Sequence, residues 1–260
     1  MFQQRKFLKL FFSVVIPIIL LCVLSYAFAY EPFMDQIDRS PNGGDFNPED
    51  YYQINPNTIV SSLDQGFFNV FTPKVIDDPE RFWEENWQEN NDSFQWHQAD
   101  FMKIAIAINQ FAGNDNFNDW GISTASFKTR CEKYQSGFSD LHMIIFKPIW
   151  NNGQLYYEAR EIWIVPDYKI IRWGDGRIYP RPIFGWDKVN LDNFQITAEQ
   201  ALSIAEEKGG KQLRLTEDNN CIISVIGDTD KWIVLYSPIA EYEIDSLTGE
   251  VLNYHEFNAK

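Results

Sequence analysis

Any chemistry in this chain must come from few places, because only three histidines, His97, His142 and His255, and three cysteines occur among its 260 residues. No His-Glu-x-x-His or Cys-x-x-Cys spacing is present, so no zinc-protease helix, zinc ribbon or dithiol redox pair is encoded locally. His97 stands three residues before Asp100, which suggests a His–Asp pair. At the entrance to a helix, however, the same spacing serves capping and surface packing. His142 lies in an apolar run beside Met143 and Ile144, and His255 is near the C-terminus; no nucleophile is spaced to use either. Gly-x-Ser-x-Gly and phosphate-cradling glycine loops are absent too. The turn Asn114-Asp115-Asn116-Phe117-Asn118-Asp119 alternates like a calcium loop. Its sixth position is Asp119 where glycine is needed and its twelfth is Ala125 where glutamate is needed, so a polar turn is expected. No catalytic residue, metal ligand or cofactor is therefore expected, and no ligand-binding residue stands out.

Recognition by stacking is the other chemistry available, since aromatic residues make up 16% of the chain and nine are Trp. Trp83, Trp87, Trp96, Trp163, Trp173 and Trp186 could form a platform for pyranose rings, which would make the protein a carbohydrate- or cell-wall-binding one. Filling the core of a β-rich domain is the competing use. Asn91-Asp92-Ser93 is a glycosylation sequon, with meaning in a eukaryotic secretory context.

Charge and hydropathy set the compartment. Arg5, Lys6 and Lys9 are the only charges in the first thirty residues, which leaves 19 basic and 37 acidic side chains beyond them, a net of −18. Such a surface repels nucleic-acid phosphates and anionic lipid headgroups, so no nucleic acid is expected as a partner. Leu10–Ala29 is almost continuously apolar and long enough to span a bilayer, with the basic cluster holding the N-terminus in the cytoplasm. This segment (residues 1–30) is either a single-pass anchor in the cell membrane or a signal peptide cleaved after Ala27-Phe28-Ala29, giving a secreted protein. Both place the rest outside the cytoplasm. Leu21 before Cys22 does not suit lipid attachment. Cys131 and Cys221 therefore form the one pair available in an oxidising compartment, either as a disulfide or as two buried thiols.

Residues 31–57, rich in Pro, Asn, Gly and Asp, read as a flexible tether. Residues 58–182 form an aromatic-rich α+β region. A helix is expected from Asp78-Pro79, and a clearer one covers Ala99–Phe111, where Phe101, Ile104, Ala105, Ile108 and Phe111 recur at helical spacing before Gly113. Strands are expected over Ile122–Cys131, Leu141–Ile149 and Leu155–Val165, then Ile170–Trp173, with a hairpin at Gly174-Asp175-Gly176 leading into Arg177-Ile178-Tyr179. Pro180-Arg181-Pro182 is the natural linker. In residues 194–257, Thr197 caps a helix of about three turns stopped by Gly209-Gly210. Two apolar runs follow, Cys221–Ile226 and Trp232–Tyr236. A closing hairpin then turns through Ser246-Leu247-Thr248-Gly249, where Gly249 takes positive φ and Asp245 bonds the turn's backbone.

The opening Ile196-Thr197-x-x-x-Ala201-x-x-Ile204-Ala205 and the closing Tyr242-x-Ile244-Asp245-x-x-Thr248-Gly249-Glu250-Val251-Leu252 resemble the PepSY domain, a module of metalloprotease propeptides and of many secreted or membrane-anchored bacterial proteins. The resemblance covers roughly a quarter of the chain. It implies regulation of a peptidase or another envelope partner, without catalysis. Because residues 100–180 repeat the order helix, strands, turn, short strand, the expected fold is α+β: a helix packed on an antiparallel meander, twice, as two tandem PepSY-like units after one transmembrane helix. One continuous α+β domain is the alternative.

Overall fold

The computed structural model describes residues 50–78, 81–82, 94–151, 154–179, 189–216 and 221–257. The apolar N-terminal segment, most of the tether, most of the helix expected from Asp78, Trp83, Trp87, the sequon at Asn91, the Pro180-Arg181-Pro182 linker and Trp186 lie outside them; Arg81 and Phe82 are helical, and the Arg81 N–H donates to Asp78 Oδ1 at 3.0 Å. Among the described residues no helix is long and apolar enough to cross a membrane.

Strand β1 (Tyr51–Gln53), helix α1 (Ile59–Asp64) and strand β2 (Thr72–Lys74) come first. Helix α2 (Gln98–Gly113) is followed by β3 (Gly121–Arg130), β4 (Asp140–Asn151), β5 (Gln154–Val165) and β6 (Ile170–Tyr179). Helix α3 (Ala198–Ala205), a kinked segment over Glu206–Gly210 and helix α4 (Lys211–Thr216) lead to β7 (Ile222–Gly227), β8 (Lys231–Ser237), β9 (Ala240–Asp245) and β10 (Val251–Glu256). The expected α+β fold of two tandem units, each a helix on its own meander, does not form. All ten strands form one antiparallel sheet in the order β10-β9-β8-β7-β3-β4-β5-β6-β1-β2. The physical reason is a ladder that local patterning does not encode: β3 pairs with β7 from Ala125↔Gly227 to Arg130↔Ile222, so the two meanders share one sheet. The tether is also shorter than expected, because Tyr51–Gln53 pairs with Ile170–Arg172 as a strand.

Alternation along the strands sorts the side chains. Phe127, Leu141, Met143, Ile145, Ile162, Ile164, Val225, Trp232 and Val234 are buried and pack against Phe101, Ile104 and Ile108 of α2 and Ala201, Leu202 and Ala205 of α3 in one core. The alternate positions, among them His142, Ile144, Ile226, Ile233 and Leu235, are half-exposed. The two helices meet at their N-termini, where each supplies a cap to the other. The Gln98 N–H donates to Glu199 Oε1 at 2.6 Å, and the Ala198 N–H donates to Gln98 Oε1 at 2.7 Å. These bonds satisfy donors that a helix start otherwise leaves orphaned.

The closing hairpin has the geometry its residues call for. Asp245 Oδ1 accepts from the Leu247 N–H at 3.0 Å, the Thr248 N–H at 2.7 Å and the Thr248 hydroxyl at 2.9 Å. The Thr248 bonds, the backbone one foremost, hold the Asp245 carboxyl below its usual range. Gly249 has φ +75°, and a Cβ there would sit 2.9 Å from Ile204 Cδ1. Gly249→Val is therefore expected to cost about 1–2 kcal/mol from left-handed strain alone, before crowding is added. Thermal unfolding checks this, and an unchanged midpoint would mean that the turn does not depend on positive φ.

Candidate functional site

A groove of about 450 Å³ opens between the segment after β3 and the helix-side wall formed by α3 and the kinked segment after it. Phe138 and Leu202 give it apolar surface, while His97, Glu199, Glu207 and Lys211 supply the charged groups. Its wall is built around Glu206. Arg214 Nε donates to both Glu206 carboxylate oxygens at 2.9 Å, and Arg214 Nη2 donates to Oε2 at 2.6 Å. The Tyr236 hydroxyl donates to Oε1 at 2.8 Å. The Arg214 guanidinium also lies 3.9 Å from the centre of the Tyr134 ring. Both partners of the ion pair are nearly buried, with side-chain exposures of 7% for Arg214 and 8% for Glu206, so water screens them little.

The local sequence explains this geometry. The helix that begins with α3 stops at the two glycines, as its sequence predicts: Gly209, at φ +131°, is non-helical and kinks the chain into α4. A Cβ on Gly210 would stand 2.1 Å from the Tyr236 hydroxyl, so glycine there is what lets the tyrosine reach Glu206. Chain direction then resets, and α4 returns Arg214 to the same carboxylate. Burial, followed by the neighbouring Glu206, pushes the Tyr236 phenol well above its ordinary value. Burial and then Tyr254 raise Tyr242 to about 12. The hydrogen bond to Glu206 raises Arg214 further still. These shifts keep the tyrosines neutral and the arginine charged.

The opposite wall is fixed covalently. Cys131 and Cys221 form a disulfide across 90 residues, with their Cα atoms 5.2 Å apart. The two cysteines lie just past β3 and just before β7, and the Cys131 N–H also donates to the Cys221 carbonyl at 2.9 Å. The bridge anchors the start of the segment that carries Tyr134 and Phe138 to the groove.

Of the residues singled out from sequence, His97 lies on the groove, exposed, with Nδ1 3.5 Å from Glu199 Oε1. Its backbone N–H donates to Asp100 Oδ2 at 3.3 Å, so the His97–Asp100 spacing is that of a helix cap. His142 is elsewhere, in β4, where Nε2 is 2.6 Å from Glu161 Oε1 while Arg172 Nη1 donates to Glu161 Oε2 at 2.5 Å. His255 lies on β10. The turn at Asn114–Asp119 is a helix end and a capped 3₁₀ turn, in which Asn116 Oδ1 accepts from the Asn118 N–H at 3.0 Å and Asp115 pairs with Lys147. No group of three residues able to hold a metal occurs among the described residues. Trp96 and Trp173 are buried and Trp163 is half-buried, so these three form no exposed row; Trp150 is 74% exposed.

Glu206, Arg214, Tyr236 and Tyr134 were not picked out by sequence reasoning. The only trace of them was the Gly209-Gly210 pair, which reads equally well as a helix stop. Compared with known proteins, the chain matches no family model, no curated protein and no solved structure.

Proposed function

We propose that the chain is a non-catalytic binding and regulatory protein, held outside the cytoplasm at the membrane surface by its apolar N-terminal segment. It acts on a peptidase or another envelope partner. The observation that carries this reading is the state of the groove's buried acid. Glu206 is bound by Arg214 and Tyr236, so its carboxylate shapes a wall and is not available to move protons. The PepSY-like residues from Ile196 to Leu252 support a regulatory role, as does an acidic surface suited to a basic partner. Burial of Trp96 and Trp173 favours a protein partner over a glycan, because those rings have no face to stack on a sugar.

The full-length chain, purified in a non-ionic detergent, is expected to show no turnover on peptide, ester and glycoside panels, with or without added zinc. It is expected to slow a peptidase taken from its own envelope. Metal-dependent turnover that is lost in His97→Ala or His142→Ala would overturn the reading.

A further inference from the structure

The two edges of the sheet are built differently. Strand β2 has three residues, Thr72-Pro73-Lys74, and its shortness, its proline and its lysine are all features that stop another strand from pairing there. Strand β10 has six residues, Val-Leu-Asn-Tyr-His-Glu, with neither proline nor lysine; a bulge at Leu252 interrupts it, and the regular edge is the stretch Asn253–Glu256. Leu252 and Tyr254 on it are exposed.

The backbone of β10 is poised to pair. It faces β9 with Asn253↔Glu243, Tyr254↔Tyr242, His255↔Glu241 and Glu256↔Ala240. The Phe257 N–H donates to the Ile239 carbonyl at 2.8 Å. Inward and outward groups alternate along an antiparallel strand, so Asn253, His255 and Phe257 turn their backbone groups to β9 while Tyr254 and Glu256 turn theirs outward. Among the described residues the outward Tyr254 N–H donates to the neighbouring Asn253 Oδ1, at 2.9 Å, a local partner that an incoming carbonyl can replace. The Tyr254 ring lies 4.8 Å from that of Tyr242, centre to centre, and gives the edge an aromatic shelf.

Charge selects the occupant. Glu241, Glu243 and Asp245 of β9 and Glu256 of β10 surround the edge, with Lys231 paired to Glu243 at 3.1 Å. A second copy would bring two such acidic edges together on chains that carry a net −18 beyond the first thirty residues. We propose that β10 is the docking edge, where an extended basic segment of a partner protein adds as an eleventh strand. This rests on the reading of the chain as a binding protein.

Fluorescence anisotropy tests it with the full-length chain in a non-ionic detergent and three labelled peptides. One alternates lysine and valine, one is its glutamate twin, and one is the lysine peptide with a central proline. Saturable binding is expected for the first, weakening as salt is raised, and much weaker binding for the other two. Tyr254→Pro removes an outward donor while leaving the β9 ladder intact. It is expected to weaken the lysine peptide roughly tenfold relative to Tyr254→Ala, which loses the same ring but keeps the N–H, the effect of one or two lost main-chain bonds. Equal binding by the proline variant, or by the proline-interrupted peptide, would overturn the proposal, as would a dimer in sedimentation velocity that Tyr254→Pro dissolves. Should Tyr254→Pro fail to fold, the Glu241→Lys/Glu256→Lys variant decides: preference must shift to the glutamate twin, and an unshifted preference overturns the edge. Peptidase inhibition that survives without edge binding would remove the edge and keep the functional reading, whereas turnover would remove the reading itself.

Discussion

Arg214→Met is expected to destabilise the protein by about 3–5 kcal/mol, because it leaves the Glu206 carboxylate buried without its cation. The pair is 7% and 8% exposed, which separates it from surface pairs worth about 0–1 kcal/mol. The Tyr236 hydroxyl would still donate to Glu206, but one neutral donor does not replace a guanidinium that contacts both oxygens. Adding Glu206→Gln should recover much of the loss, since a buried pair replaced on both sides often costs little. Urea unfolding of the two single variants and the double gives the coupling directly. A loss under about 1 kcal/mol in Arg214→Met would place the pair in the screened class, and the groove wall would not depend on it.

Replacing Cys131 and Cys221 together with serine is expected to cost about 2–5 kcal/mol, the usual effect of removing a native bridge, with the long closed loop favouring the upper part of that range. The sequence separation is 90 residues, so the bridge constrains a large part of the unfolded chain. Thermal unfolding with and without reductant should show the same loss in the unmodified protein and no reductant effect in the double variant. Identical midpoints for the oxidised and reduced protein would mean that the β3–β7 ladder, with its bond from the Cys131 N–H to the Cys221 carbonyl, already holds the two ends together.

Local signals were legible where short-range chemistry decides the outcome. The helix read over Ala99–Phe111 spans Gln98–Gly113, and Thr197 caps α3 through its hydroxyl and Gln200. The strands of both meanders lie within a few residues of their hydrophobic runs. Glycine was the ambiguous letter. Gly174-Asp175-Gly176 reads as a hairpin, yet β6 continues past it from Ile170 to Tyr179 with a bulge, Asp175 and Gly176 standing opposite the one residue Arg160 of β5. A Cβ on Gly174 would lie 2.0 Å from Asp50 Oδ2, so this glycine admits a neighbouring chain and does not reverse its own. Gly210 likewise makes room for Tyr236. The pairing of β3 with β7, the caps exchanged between α2 and α3, and the Glu206–Arg214–Tyr236 cluster all join residues whose partners carry no mark in the surrounding sequence. For the same reason the single sheet and the groove wall could not be read in advance.

The helix caps set an order of events during folding. Gln98 and Ala198 are 100 residues apart, and Gln98 and Glu199 are 101 apart, while β3 waits for β7 across a comparable stretch of chain. Contacts at such separations form late and slow the search for the native state. As the chain emerges in order from its N-terminus, α2 and β3–β6 can assemble while β3 still has an unpaired edge and α2 an unfilled N-terminus. That half-made sheet is the form most open to pairing with the wrong strand. Completion comes only when the last sixty or so residues arrive and close both vacancies at once. The C-terminal region is thus the clasp of the sheet, bringing both the strand that β3 lacks and the cap that α2 lacks.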